Sequence, residues 1–204
     1  MALAAVVTLG AYLIGTISFA DLASRLAHGG ARNVRTAGSG NPGALNTASV
    51  LGKKWGLVVL LADFGKGVVA TRLGHAIAGD TGMALAAVAV VIGHCAPIWS
   101  RFAGGKGIAT TGGVLVAMFP LGAPFVVASL AAAMVVTRST SRAAYGSVAV
   151  LVVTATVWAI GRYSDAWGIP GSGILLAASI AIAAAVAIRS VLGDRLGTTG
   201  SEHP

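Results

Sequence analysis

Residues 3–20, 55–70 and 83–99 are almost unbroken runs of apolar side chains. Each approaches the ~17–25 residues that a helix needs to cross a bilayer core. Lipid offers no water to satisfy backbone amides and carbonyls, so each run must be helical. Composition agrees: 56% of the 204 residues are hydrophobic and 10% charged, with a mean hydropathy of +0.85, whereas soluble domains carry about a quarter charged residues. The expectation is an all-α, polytopic integral membrane protein forming one domain over 1–204.

Helices are predicted at 3–26, 55–73, 83–99, 108–119, 123–136, 145–161 and 173–189. The first lacks a basic n-region and an obvious small-residue cleavage site, so it reads as a retained helix rather than a signal peptide. The fourth and fifth flank Pro120 and Gly122, and at ~1.5 Å per residue each reaches only about 20 Å. One long kinked crossing is the alternative, and charge decides between the two. Lysine and arginine collect in cytoplasmic loops. With seven crossings and the N-terminus outside, eleven of the 14 lie on the cytoplasmic side, Arg72 and Arg162 lie outside, and Lys66 sits within a helix. Merging the two short helices gives 8 against 5. Seven crossings are therefore expected, with loops 27–54, 100–107 and 137–144 and the tail 190–204 sharing the cytoplasmic face.

A net charge of +8 admits nucleic acid, an anionic membrane surface or an anionic substrate. Here the charges follow helix ends, without a long basic tail or an aromatic-rich basic groove, which argues against nucleic acid. Cys95 is the single cysteine, so neither an intrachain disulfide nor a thiol pair for metal or redox chemistry is expected. No internal repeat or linker divides the chain, and its alanine and glycine richness suits close helix packing in lipid.

Three polar segments carry candidate chemistry. The first contains Gly38-Ser39-Gly40-Asn41-Pro42-Gly43-Ala44-Leu45-Asn46. Its glycines free the backbone for positive φ angles, so its N–H groups can turn inward as an anion-binding nest. Ser39, Asn41 and Asn46 add hydrogen-bonding groups, beside Arg35, Lys53 and Lys54, that an ordinary surface turn does not need. The second runs from Gly93-His94 through Pro97 to Gly104-Gly105-Lys106-Gly107, at the start of a predicted helix. Glycines around a lysine at a helix N-terminus favour phosphate, because amides and dipole point outward and the ammonium adds charge. It is not a Walker A loop, since Ser100 and Gly107 stand where that pattern needs a glycine and a hydroxyl. His94 can donate to a phosphate or move a proton near neutral pH, a structural role being the alternative. No Asp, Glu or second His adjoins it in sequence to suggest a metal pair or a triad.

The third segment, Thr137-Arg138-Ser139-Thr140-Ser141-Arg142, offers two guanidiniums and four hydroxyls. Arginine makes bidentate contacts to phosphate, although simple positive-inside anchoring also explains it. Asp63 and Lys66 share a helix face and can pair within the membrane. Intramembrane charges are functional candidates, and a structural pair supporting the first loop is an equally open reading.

Together these elements resemble the PlsY family, bacterial membrane acyltransferases that move a fatty acyl group from acyl phosphate to glycerol 3-phosphate. The resemblance rests on Tyr12-Leu13-Ile14-Gly15-Thr16-Ile17, Gly38 to Ala44, Asp63-Phe64-Gly65-Lys66-Gly67, Gly93-His94 with Pro97, Gly104-Gly105-Lys106-Gly107, and Arg138 with Ser141. It covers about the first 150 residues. It implies a seven-helix fold in the bacterial inner membrane, with the active site open to the cytoplasm and no metal, cofactor or acyl-carrier protein. It implies catalytic roles for Ser39, His94 and Lys106. Phosphate and substrate contacts are implied for Gly38, Gly40, Asn41, Gly43, Asn46, Gly104, Gly105, Gly107, Arg138 and Ser141. The partners are then acyl phosphate, glycerol 3-phosphate and membrane lipid.

The chain departs from the family pattern at several positions. Ser49 stands where an arginine is usual, Leu45 replaces a threonine, Ala96 a phenylalanine, Ala103 a basic residue and Ala144 a serine. Leu192 takes a usual asparagine position, and the single glutamate, Glu202, is shifted. Acylation of a different acceptor, or transport of an organic anion through short broken helices, are the alternatives to the family reaction.

Overall fold

The computed structural model describes residues 1–199 and is entirely helical and irregular over them, without strands. Eight helices are defined: α1 (Ala2–Thr16), α2 (Phe19–Leu26), α3 (Ala44–Leu51), α4 (Lys53–Cys95), α5 (Ile108–Met118), α6 (Ala123–Thr137), α7 (Thr140–Gly161) and α8 (Gly173–Thr199). Four helical segments are long and apolar enough to cross a membrane: Ala2–Leu26, Lys53–Ser100, Thr140–Gly161 and Gly173–Gly193.

The first crossing, expected as one helix, breaks after Thr16. Ile17 and Ser18 are extended, and the Ser18 hydroxyl accepts the Asp21 N–H to start α2. Gly15 and Ile17 carbonyls at this break accept hydrogen bonds from the Lys66 ammonium at 3.0 and 2.8 Å. The buried cation thus caps the helix end that the break exposes. The second and third crossings, in contrast, are continuous in α4. Ala78 and Gly79 leave helical geometry, Gly79 at φ 58, and the chain folds back. A Cβ on Gly74 would meet the Ala86 side chain, whereas twelve residues of straight helix would separate those positions by about 18 Å. The two legs of α4 are therefore antiparallel.

The short helices also cross separately. At one end of the bundle Trp167 donates to the Val116 carbonyl at 2.8 Å, and the Leu121 N–H donates to Asp165 at 3.1 Å. At the other end, Lys106 contacts Ser141 and Arg189 donates to the Gly104 carbonyl at 2.9 Å. Helices α5 and α6 thus run in opposite directions between the two ends, giving the seven passes expected from charge.

Several boundaries move. The expected loop 27–54 holds α3 and the first turn of α4, and the loop 137–144 shrinks because Ser139 accepts the Arg142 N–H and starts α7 at Thr140. Helix α8 continues through the expected tail to Thr199, since no proline stops it and Gly193 and Gly197 each cost only about 1 kcal/mol. Glu202 lies outside the described residues.

Close packing depends on missing side chains. A Cβ on Gly93 would lie 3.0 Å from the Gly15 Cα and 3.1 Å from the Thr16 amide nitrogen, and would also strike the Tyr12 carbonyl. Small residues that let backbones approach are the main source of helix association in lipid. Gly93→Leu should destabilise the fold by at least ~2 kcal/mol, read as lost monodisperse yield and a lower Tm in detergent. Gly10, with nothing within 4 Å of its Cβ position, should tolerate leucine unchanged.

Candidate active site

Asn46, in the first turn of α3, shapes the first loop. Its amide nitrogen donates to the Val34 and Ala37 carbonyls at 2.7 and 3.1 Å, and its amide oxygen accepts the Ser39 N–H at 2.8 Å. Gly38 is in the left-handed region at φ 61, and a Cβ there would run into the Asn46 amide. Glycine is therefore required both by conformation and by space. Ser39, Asn41, Gly43 and Asn46 line a cavity of about 430 Å³. Asn46 reaches this wall, yet its amide is engaged inside the loop, so its role is to position Ser39.

The second loop returns along the end of α4. Gly104 and Gly105 N–H groups donate to the Cys95 and His94 carbonyls, both at 3.1 Å. Gly105 lies flat against the His94 imidazole, where a Cβ would strike Nε2. Gly107, at φ 82, then begins α5, and Lys106, Ile108 and Ala109 line the same cavity. The Lys106 ammonium donates to the Ser141 hydroxyl, which is buried in the first turn of α7.

Under the two loops lies a chain of charge inside the bundle. Asp63 Oδ1 is 2.9 Å from Lys66 Nζ and 3.4 Å from His94 Nδ1, with all three side chains buried. Sequence distance had concealed a carboxylate partner for His94. An acidic group on Nδ1 fixes the orientation of an imidazole, and both Asp63 and His94 reach the cavity wall.

The opposite wall is apolar. Val127, Leu130, Ala131 and Met134 form one stripe of α6 and face Leu60 of α4 across the cavity. Their spacing by three and four residues is that of one helix face. No chemical residue type marked this wall in the sequence.

Of the residues expected at the site, Ser39, Asn41, Gly43, Asn46, His94, Lys106 and Gly107 are brought together on the cavity wall, and Ser141 joins through Lys106. Gly38, Gly40, Gly104 and Gly105 shape the two loops behind it. Arg138 lies apart from these residues. It is exposed, in left-handed geometry, at the end of α6 and is not among the residues of the cavity wall. Arg35, beside the first loop, is held by Asp21 in two contacts of 2.7 Å. Arg189, expected only as a charged helix end, is buried beneath the second loop.

A pocket lined by Lys106, His94 and loop glycines and continuous with an apolar stripe lies inside a bundle of apolar helices, four of them long enough to span a membrane, which is the architecture of an integral membrane protein. The sequence pattern of the family described as glycerol-3-phosphate acyltransferase matches residues 5–193. A glycerol-3-phosphate acyltransferase of Exiguobacterium sibiricum is 44% identical over 110 residues, 54% of this chain and 52% of that protein. The chain thus spans about half the length of that relative. One from Pseudomonas paraeruginosa is 43% identical over 148 residues, 71% of this chain and 72% of its own. The crystal structure of PlsY, an integral membrane glycerol 3-phosphate acyltransferase, in its glycerol 3-phosphate form, superposes with a TM-score of 0.78 at 30% identity, covering 98% of this chain and 94% of that one. The chain belongs to the glycerol-3-phosphate acyltransferase family.

Removing the carboxylate from a buried ion pair leaves the cation uncompensated. Asp63→Asn should cost about 3 kcal/mol or more, read as a lower Tm and folded yield in detergent. Asp63→Asn combined with Lys66→Met should recover part of that loss.

Proposed function

We propose that this protein transfers a fatty acyl group from acyl phosphate to the hydroxyl of glycerol 3-phosphate, releasing lysophosphatidic acid and inorganic phosphate. The observation that carries this reading is the single cavity that joins Ser39, His94 and Lys106 to the apolar stripe of α6. Such a space accepts a phosphate head and an acyl tail together. Membership of the acyltransferase family favours this reaction over organic-anion transport.

An acyl phosphate is a mixed anhydride and already activated, so the site must align and stabilise rather than supply a covalent nucleophile. The glycerol oxygen forms a bond to the acyl carbon, the bond from that carbon to the phosphate oxygen breaks, and the hydroxyl proton ends on the released phosphate. Lys106 and the first-turn amides of α5 neutralise the phosphate. Ser39 aligns the acceptor hydroxyl, and His94, oriented by Asp63, donates to charge on the acceptor side.

The positive-inside distribution of lysine and arginine supports a site facing the cytoplasm of a bacterial cell with the N-terminus outside. One membrane domain accounts for the whole cavity, since its wall draws on residues spread from Ser39 to Thr140.

Purified protein in detergent, given palmitoyl phosphate and labelled glycerol 3-phosphate, should form labelled lysophosphatidic acid, with palmitoyl-CoA and palmitoyl-acyl-carrier protein inactive as donors. Detergent has no compartments, so product there also excludes transport as the sole activity. Lys106→Ala should reduce turnover by at least ~100-fold without preventing membrane insertion. A stable acyl ester on Ser39 after acid quench would count against direct transfer.

Ser49 is exposed on α3, one turn beyond the cavity residue Leu45 and on the same face. Restoring a cation there should tighten a phosphate-bearing substrate. Ser49→Arg should lower a phosphate-substrate KM by about tenfold, and an unchanged KM for both substrates would show that the cavity holds phosphate without it.

A further inference from the structure

The backbone of Ala103–Gly105 is held by the end of α4, by Arg35 and by Arg189, and the Ala103 carbonyl also accepts from Ser100 Oγ at 3.1 Å. Gly104 and Gly105 N–H groups donate to the Cys95 and His94 carbonyls at 3.1 Å. The Ala103 carbonyl accepts from Arg35 Nη1 at 2.6 Å, and the Gly104 carbonyl accepts from Arg189 Nε at 2.9 Å and Nη2 at 2.5 Å. Consecutive carbonyls on the loop leading into Lys106 are thus gripped by guanidiniums from opposite ends of the sequence. One extends from the first loop, and the other from α8.

Both arginines direct guanidinium donors to protein groups, and Arg35 also lines a small cavity beside His94 and Gly105. Arg35 lies in a bidentate pair with Asp21, at 2.7 Å on both arms, and its third contact goes to Ala103. Arg189 is 9% exposed, and neither residue belongs to the wall of the 430 Å³ cavity. Both meet that wall indirectly. A Cβ on Gly193, one helical turn after Arg189, would lie 3.4 Å from Lys106 Cε and 3.7 Å from Arg189 Nη1, so the Lys106 stem runs past the same turn of α8.

We propose that Arg35 and Arg189 are a positioning pair that sets the register of the Gly104–Gly107 loop, and thereby places Lys106 and the N-terminus of α5 on the transferring phosphate. The pair couples the first loop and the last helix to the catalytic lysine through backbone carbonyls. A fork with several donors suits this task, because Nε and an Nη of one guanidinium can reach the same oxygen. The proposal rests on the acyl-transfer reading of the cavity.

The test compares Arg35→Met, Arg189→Met and Arg189→Lys as monodisperse proteins in detergent. Palmitoyl phosphate and glycerol 3-phosphate are the substrates, and hydrogen exchange is followed in segment 103–107. A displaced loop lowers kcat at nearly constant substrate binding, since small misplacements of a catalytic group cost up to ~100-fold. The methionine variants should lose about tenfold or more in kcat per folded molecule, with each KM changed less than about threefold, and should exchange the Gly104 and Gly105 amides faster. Arg189→Lys, which keeps the charge and one hydrogen bond, should recover part of both, and it carries the test where methionine prevents folding. A large rise in KM with kcat retained would overturn the proposal by making the arginines direct phosphate ligands. Lower stability with unchanged kcat and unchanged exchange would overturn it by making them merely structural. Exchange is read without turnover, so faster exchange in variants of an inactive wild type would reject the acyl-transfer reading while upholding the loop clamp.

Discussion

The bundle depends on the Lys66 ammonium being satisfied where lipid leaves it no water. Desolvating a cation costs several kcal/mol unless partners replace its hydration, and Lys66 is 5% exposed. Its partners are the Asp63 carboxylate and the Gly15 and Ile17 carbonyls at the break in the first crossing. The dependence is mutual. Carbonyls freed by a broken helix are as costly in lipid as an unpaired ammonium, so the break and the charge stabilise each other. Asp63 extends the same network to His94, and the rigidity of the fold thereby becomes the orientation of a site residue.

Close backbone approach is the second constraint, and it serves the first. Lys66 reaches α1 because Gly15 and Gly93 let that helix settle against the second leg of α4. On the other side of the first leg, a Cβ on Gly67 would lie 3.0 Å from the Val114 amide nitrogen, and one on Gly113 would lie 2.9 Å from the Phe64 carbonyl carbon. These contacts hold α5, whose N-terminus carries the lysine loop, against the helix that carries Asp63. Packing between small residues and placement of the N-terminal end of α5 are one arrangement.

The loops use glycine for a different purpose. Gly38 and Gly107 take left-handed geometry, and Asn46 supplies the hydrogen bonds that make one such conformation unique. Polar side chains therefore act at two levels: Asn46, Arg35 and Arg189 fix backbone, while Ser39, His94 and Lys106 face the cavity. The apolar stripe of α6 completes the cavity wall.

Much of this was legible in order along the chain. Apolar run length dictated membrane-spanning helices, the lysine and arginine distribution distinguished seven passes from six, and the loops around Gly38 and Lys106 resembled a family to which the chain belongs. Those features are local: run length, charge at helix ends, and glycine beside polar groups within a few residues. What only tertiary structure decided are the contacts across long sequence intervals. Asp63 meets His94, Arg189 meets Gly104, Lys66 caps a helix fifty residues earlier, and Arg138 stays outside the cavity, because helix packing rather than spacing sets which faces meet. The stripe on α6 was equally hidden, since an apolar side chain facing substrate and one facing lipid are the same residue until the bundle closes around one of them.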